Sequence, residues 1–163
     1  GSGHLLMTLY RSRQLADQVA NLQRQSAVSK VQNAALQQAG VDAEILHSEP
    51  TGALKQKYLD SLSNAKESVT IMTYTFSDQE VIDLLAKKAS EGIQVTIVID
   101  KDHMGSVKPH AGQFKLLTRT TGEGRIHHKI TLIDQEKIWI GSANLSPDAL
   151  TKQNNTMLYL QSK

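Results

Sequence analysis

A short stretch near the C-terminal end of the sequence combines residue types that can act on a phosphate group. His127 and Lys129 lie two residues apart, and the apolar alternation over 126–133 predicts that both leave the same face of a strand. A turn and a second short strand then lead to Ser142 and Asn144. We expect an imidazole, an ammonium, a hydroxyl and an amide to converge at one end of this β-hairpin.

The spacing of these residues resembles the signature of the phospholipase D superfamily. That signature is His-x-Lys, four residues, Asp, six residues, then Gly-Ser-x-Asn, and it falls here on His127, Lys129, Asp134, Gly141, Ser142 and Asn144. Several fixed residue types at fixed separations are far less common by chance than a lone glycine motif. The likeness covers residues 41–161 and leaves an N-terminal helix outside it.

The resemblance implies a metal-independent phosphodiesterase that needs no cofactor and forms a phosphohistidine on His127. The residue types fit this chemistry, since a neutral imidazole can attack phosphorus. Lys129, Ser142 and Asn144 can offset charge on the non-bridging oxygens. Asp134 belongs to the motif by resemblance, and a structural role in the hairpin turn is at least equally well supported. The substrate class implied is nucleic acid or phospholipid, and the single-motif layout favours the endonuclease branch.

One histidine cannot serve as both nucleophile and acid in an in-line displacement, because the two groups act on opposite sides of phosphorus. His128 points to the opposite face of the strand and cannot supply the acid. Related proteins carry two copies of the motif, or pair two single-motif chains about a twofold axis. The sequence has one copy. We therefore predict a homodimer in which His127 of each chain meets across the interface.

Two departures from the family pattern suggest alternatives. Asn155 stands where relatives usually carry an acidic residue that orients the histidine, so a catalytically weak module that binds nucleic acid, anionic lipid or a partner protein is the first alternative. Related domains usually continue past the strand at 156–160 with a final helix. The second alternative is therefore a C-terminally truncated domain, or the first half of a two-motif protein.

The segment 101–125 is basic and irregular. It carries five Lys and Arg against two Asp and Glu, a local charge of +3, and several Gly and Pro residues. Arg119 and Arg125 are the preferred phosphate-binding candidates because a guanidinium can donate two hydrogen bonds to one phosphate; Gly141 and Asn155 are the other substrate-binding candidates. An alternative metal site is not favoured, since its four residues match no common ligand spacing. These four are Asp100, Asp102, His103 and His110.

The elements that must position these residues follow a helix–strand alternation. Residues 1–40 are predicted to be an Ala- and Gln-rich helix, with Gly1-Ser2-Gly3 resembling a cloning scar. Residues 41–163 are expected to form the phospholipase D-like phosphodiesterase domain that the resemblance implies. A strand at 69–76, a helix that a capping box at 77–80 opens, and a strand at 93–99 predict a parallel βαβ unit. The fold class is therefore α/β, with a mixed, largely parallel sheet flanked by helices on both faces.

Composition limits the remaining possibilities. The 163-residue chain has a net charge of +2 and no cysteine, which excludes thiolate metal sites and cysteine nucleophiles. It lacks the ~18 consecutive apolar residues of a membrane span. Trp139 and Phe76 are expected in the core rather than stacked on bases. The native location stays open, with secretion or peripheral membrane association both compatible with the sequence.

Overall fold

Seven strands form one mixed sheet in the computed structural model, which describes residues 1–40, 42–48, 52–119, 129–141, 145–146, 148–151 and 155–161. The helices are α1 (Ser2–Gln38), α2 (Ala53–Ser63) and α3 (Gln79–Ser90). The strands are β1 (Ala43–His47), β2 (Ser68–Thr73), β3 (Gln94–Asp100), β4 (Lys115–Arg119), β5 (Lys129–Ile133), β6 (Lys137–Gly141) and β7 (Thr156–Gln161). Two short 3₁₀ turns, Lys101–His103 and Lys108–His110, follow β3.

The strand order is β1-β7-β6-β5-β2-β3-β4. Only β2–β3 and β3–β4 pair in parallel, whereas β1–β7, β7–β6, β6–β5 and β5–β2 are antiparallel. The α/β class is confirmed, but the prediction of a largely parallel sheet is wrong. The short turn between β5 and β6 requires these two strands to be antiparallel, and β7 and β1 extend that half of the sheet with further antiparallel pairs. Only the connections from β2 to β3 and from β3 to β4 return the chain in the same direction.

The start of α3 differs by one residue from the predicted capping box. The cap is Asp78, whose side chain accepts hydrogen bonds from the backbone N–H groups of Glu80 and Val81. Ser77 instead belongs to the preceding connection, since its N–H and that of Asp78 both donate to the carbonyl of Leu145. A carboxylate at the N-cap also favours the positive end of the helix dipole.

The core lies between one face of the sheet and the pair α2 and α3. Trp139 and Phe76 are buried there, as expected. The indole N–H of Trp139 donates to the hydroxyl of Ser61, and the Tyr58 ring meets the Trp139 ring edge-on with centroids 5.4 Å apart. These contacts fix α2 against the middle of the sheet, because buried polar groups cost free energy unless they are hydrogen-bonded.

The long helix α1 meets the sheet at β1. The side-chain amide of Asn33 holds the edge strand with two hydrogen bonds: its NH2 group donates to the carbonyl of Ile45, and its oxygen accepts from the N–H of Ile45. Residues 1–17 of α1 are all exposed. Within the part of the chain that the structure describes, no helix combines the length and apolar character needed to cross a membrane.

Candidate active site

The register of the hairpin brings two parts of the motif together at one end of the sheet. Lys129, the first residue of β5, pairs directly with Gly141, the last residue of β6. Met72 near the end of β2 pairs with Ile130, so the carboxyl end of β2 lies beside Lys129. We call this end of the sheet the Lys129 edge. Open α/β sheets commonly bind ligands where their strands terminate in this way.

Lys129 itself is half-buried. It shares a face of β5 with the buried Thr131, whose hydroxyl hydrogen-bonds to that of Tyr58 at 2.8 Å. Burial lowers the pKa of Lys129 because removal of water penalises the ammonium ion. An anionic group that approached this edge would offset part of that penalty.

Gly141 allows a close approach between β6 and β7. A Cβ atom at this position would lie 2.2 Å from the carbonyl oxygen of Thr156 and 2.9 Å from Cα of Met157. Neither backbone atom can move away without breaking the β6–β7 pairing, in which Gly141 faces Met157. Glycine is therefore required at this position for packing, in addition to the role expected of it beside a substrate.

Asp134 lies at the opposite end of the hairpin. Its carboxylate accepts hydrogen bonds from the backbone N–H groups of Lys66, Glu67 and Ser68, with N–O distances between 2.7 and 3.1 Å. Its own N–H donates to the carbonyl of Ser68 at 2.9 Å. It lies five positions beyond Lys129, which in an extended strand is about 17 Å. Asp134 thus fastens the hairpin turn to the start of β2.

This arrangement sets the protonation of the Asp134 carboxyl. Burial alone would raise its pKa, but the three backbone N–H groups and the nearby Lys137 ammonium together hold the pKa below its usual value. The backbone φ angles of Asp134 and Gln135 are 54° and 57°, in the left-handed region. Aspartate tolerates that region better than most residues do.

Asn155 joins three segments next to the Lys129 edge. Its side-chain amide donates to the carbonyl of Ala149 at 2.8 Å, and its N–H donates to the hydroxyl of Ser48 at 3.0 Å. The N–H of Ser48 in turn donates to the backbone carbonyl of Asn155. The following residue, Thr156, is the one whose carbonyl lies against Gly141.

Several predicted site residues lie outside the described residues. These are His127, Ser142, Asn144 and Arg125. Arg119 is the last residue of β4, where its backbone pairs with that of Asp100. Its side chain also lies outside the described part of the structure. The strand predicted over 126–133 is described from Lys129 onward.

A cavity of about 420 Å³ lies beyond the carboxyl ends of β2 and β3. It is lined by Thr75, Phe76, Ser77, His103, Gly105 and Ser106. The His103 ring lies 4.4 Å from the Tyr74 ring, centroid to centroid. Sequence reasoning did not single out this cavity, although its position after two adjacent parallel strands was a usable signal.

The alternative metal cluster does not form among the described residues. His103 contacts Tyr74, whereas His110 stacks on Phe114 with ring centroids 5.1 Å apart. Asp100 accepts a hydrogen bond from the N–H of Asp102. No three His, Asp or Glu side chains of the described chain gather closely enough to hold a metal ion.

The fold and the motif together define a phospholipase D-like domain. The family model described as "Cardiolipin synthase, PLD-like domain" matches residues 58–163, and the chain belongs to this family. A mitochondrial cardiolipin hydrolase of Chlamydomonas reinhardtii is 23% identical over 108 residues, covering 64% of this chain and 48% of that protein. A phospholipase D of Rickettsia bellii is 25% identical over 119 residues, covering 69% of this chain and 57% of that protein.

The fold has close parallels among solved structures. The phospholipase D family member Nuc from Salmonella typhimurium superposes with a TM-score of 0.63 at 22% identity, covering 74% of this chain and 84% of that one. The chain spans about half the length of the two sequence relatives, 48% and 57%.

Proposed function

We propose that this chain cleaves phosphodiester bonds without a metal, through a phosphohistidine on His127. The pairing of Lys129 with Gly141 carries the proposal. His127 lies two residues before Lys129, and Ser142 follows Gly141 directly. We therefore expect both parts of the motif to lie next to each other, at the ends of these two adjacent strands. The half-buried Lys129 supports an anionic substrate at that edge.

The proposed reaction proceeds in two displacements. In the first, an imidazole nitrogen of His127 forms a bond to phosphorus while the bond from phosphorus to the leaving oxygen breaks, and that oxygen takes a proton from an imidazolium. In the second, water attacks phosphorus and gives a proton to that same imidazole, now neutral and acting as a base, while the nitrogen–phosphorus bond breaks. We propose that the acid is His127 of a second copy in a twofold dimer.

The proposed substrate is a phospholipid. The names of the sequence relatives, a cardiolipin hydrolase and a phospholipase D, favour this choice. Nucleic acid is the second candidate, because the exposed side chains of Lys101 and Lys108 follow the carboxyl end of β3 at the Lys129 edge. Side-by-side assays on phospholipid vesicles, DNA and RNA decide between them.

Hydrolysis of a chromogenic phosphodiester in excess chelator tests the reaction. We expect turnover by the wild-type chain and none above background by His127→Asn. His128→Asn is the matched control. The His128 imidazole is expected on the opposite face of the strand from His127, so this variant should retain activity. Equal background rates for wild type and His127→Asn would support the non-catalytic module that Asn155 suggests. Loss of wild-type turnover on adding chelator would instead indicate a metal-dependent reaction.

The shared active site has a separate test. A homodimer should give a light-scattering mass of twice the 17.9 kDa of one chain. A mass of 17.9 kDa at the working concentration would contradict the shared site and favour one half of a two-motif protein.

A further inference from the structure

The first turns of α1 expose a cluster of large apolar side chains. Their exposed fractions lie between 54% and 67%, and they are Leu5, Leu6, Met7, Leu9 and Tyr10. We call this cluster the α1 tip. No described residue of the sheet or of the other helices covers it, since every residue from 1 to 17 is exposed. Five large apolar side chains in six positions form a contiguous patch, which is unusual on a surface that water alone contacts.

The shape of this patch distinguishes between apolar partners. Successive residues turn by about 100° around a helix axis, so the five side chains span an arc of roughly 200°. The remaining arc holds His4, Thr8 and Arg11. The hydroxyl of Thr8 donates to the carbonyl of His4, so it is already satisfied within the helix. A coiled-coil seam is narrower, because it uses two positions of every seven.

A second copy of α1 would therefore leave much of the patch in water. A heptad that starts at Leu5 reaches Ser12 at its next equivalent position. Its other seam position is Thr8, so Leu6, Met7, Leu9 and Tyr10 all lie outside the seam. A medium that surrounds more than half of the helix fits the arc better.

The charges beside the tip indicate which medium this is. The chain has no Asp or Glu before Asp17, whereas Arg11 and Arg13 follow the patch directly. Tyr10, between the apolar and basic residues, is of a type enriched at membrane–water interfaces. We propose that the α1 tip inserts into the surface of an anionic phospholipid bilayer, with Arg11 and Arg13 at the headgroups.

This proposal rests on α1 and not on the chemistry of the Lys129 edge. If the substrate is a phospholipid, the α1 tip is also the surface through which the domain contacts the membrane that contains its substrate. The separate observation keeps the two claims distinguishable, because vesicle binding does not need a functional His127.

Sedimentation with vesicles tests the proposal, using the whole chain with His127→Asn so that no lipid is consumed. We expect binding to vesicles of phosphatidylcholine with phosphatidylglycerol, and much weaker binding to phosphatidylcholine alone. Leu6→Gln with Leu9→Gln should lower the partition coefficient at least about tenfold. Arg11→Gln and Arg13→Gln should each lower it roughly fivefold on the anionic vesicles. Val31→Gln is the matched control, since Val31 is a 71% exposed apolar residue of the same helix outside the tip.

A fluorescent variant reports insertion directly. Tyr10→Trp should shift its emission to shorter wavelength when anionic vesicles are added, and the buried Trp139 provides a constant background. Far-ultraviolet circular dichroism of each variant checks that α1 stays helical. Absence of binding by the parent chain, or equal binding by the Leu6→Gln, Leu9→Gln variant, would overturn the proposal. A fall in light-scattering mass from dimer to monomer in that variant without lipid would assign the tip to a second copy instead.

These outcomes separate the tip from the proposed function. Turnover of a soluble phosphodiester by the chain with its native His127, together with no vesicle binding, overturns the tip alone. Vesicle binding without any turnover overturns the phosphodiesterase alone.

Discussion

The two ends of the β5–β6 hairpin contain residues of the same sequence motif but have different surroundings. At one end the Asp134 carboxylate accepts hydrogen bonds from the backbone N–H groups of Lys66, Glu67 and Ser68, so its charge stabilises the fold. At the other end Lys129 is half-buried and pairs with Gly141. The comparison indicates that a motif of fixed spacing combines a fastening end with an end proposed to do chemistry.

Lys129→Met should give the largest effect, and it should act on activity alone. Methionine keeps most of the apolar length of the side chain but removes the ammonium, so we expect kcat/KM for a soluble phosphodiester to fall about 10²–10³-fold. The free energy of unfolding should change by less than about 1 kcal/mol. Steady-state kinetics and urea unfolding measure both quantities. A large loss of stability with unchanged kcat/KM would instead give Lys129 a structural role like that of Asp134.

Gly141→Ala should damage the fold although it lies at the chemical end. The added methyl group would meet the Thr156 carbonyl at 2.2 Å, so we expect a loss of about 1–3 kcal/mol or more in unfolding free energy. Gly105→Ala is the matched control, because a Cβ atom there meets nothing within 4 Å. Thermal unfolding of both variants checks the expectation, and equal midpoints would contradict it.

Asp134→Ala should reduce stability and leave the chemistry of the folded fraction unchanged. It removes the charged acceptor shared by three backbone N–H groups, of which that of Ser68 is partly buried, and this should cost about 1–3 kcal/mol. Urea unfolding measures the loss, and kcat per folded molecule is the second readout. A fall in kcat without a loss of stability would instead show that Asp134 contributes to catalysis.

The lowered pKa of the Asp134 carboxyl predicts that the unfolding free energy depends on pH. Because the folded-state pKa of Asp134 lies below its unfolded value near 3.8, its contribution to stability is complete above that value and is lost as the pH falls through the folded pKa. The unfolding free energy of the wild-type chain should therefore decrease more steeply below about pH 4 than that of Asp134→Asn. Parallel pH profiles would contradict this origin of the stability.

Gln135→Gly should give the smallest effect, a gain. Gln135 has a φ of 57°, which costs a residue with a Cβ atom about 1 kcal/mol relative to glycine. We expect a stabilisation of up to about 1 kcal/mol, reduced by the extra freedom of glycine in the unfolded chain. Glu136→Gly, at a neighbouring turn position without a positive φ, should not stabilise.

Local patterns predicted the parts of the fold that depend on neighbouring residues. The β2–α3–β3 crossover follows from apolar periodicity and a capping signal within about 30 residues. The role of Asp134 was open in the sequence, because its partners Lys66 to Ser68 are 66 to 68 positions away. Likewise, the need for glycine at position 141 comes from β7, and the sheet order comes from pairings that no local pattern encodes.

The candidate site divides in the same way. Residue types and spacing predicted that Lys129 and Gly141 lie together, and the register pairs these two residues. Their roles in the site stay predictions, as do those of the remaining candidates, which are His127, Ser142, Asn144, Asn155, Arg119 and Arg125. The cavity beside His103 depends on how two connections after separate strands come together, which composition cannot indicate.

The pairing of the first strand with the last has a consequence for biosynthesis. His47 of β1 and Thr156 of β7 are 109 residues apart, yet their side chains hydrogen-bond and their strands are adjacent. On a ribosome, β1 leaves the exit tunnel long before its partner exists, and such non-local pairings form slowly. The edge of the sheet that anchors α1 is therefore completed only after β7 has emerged, and until then β1 is an unpaired strand.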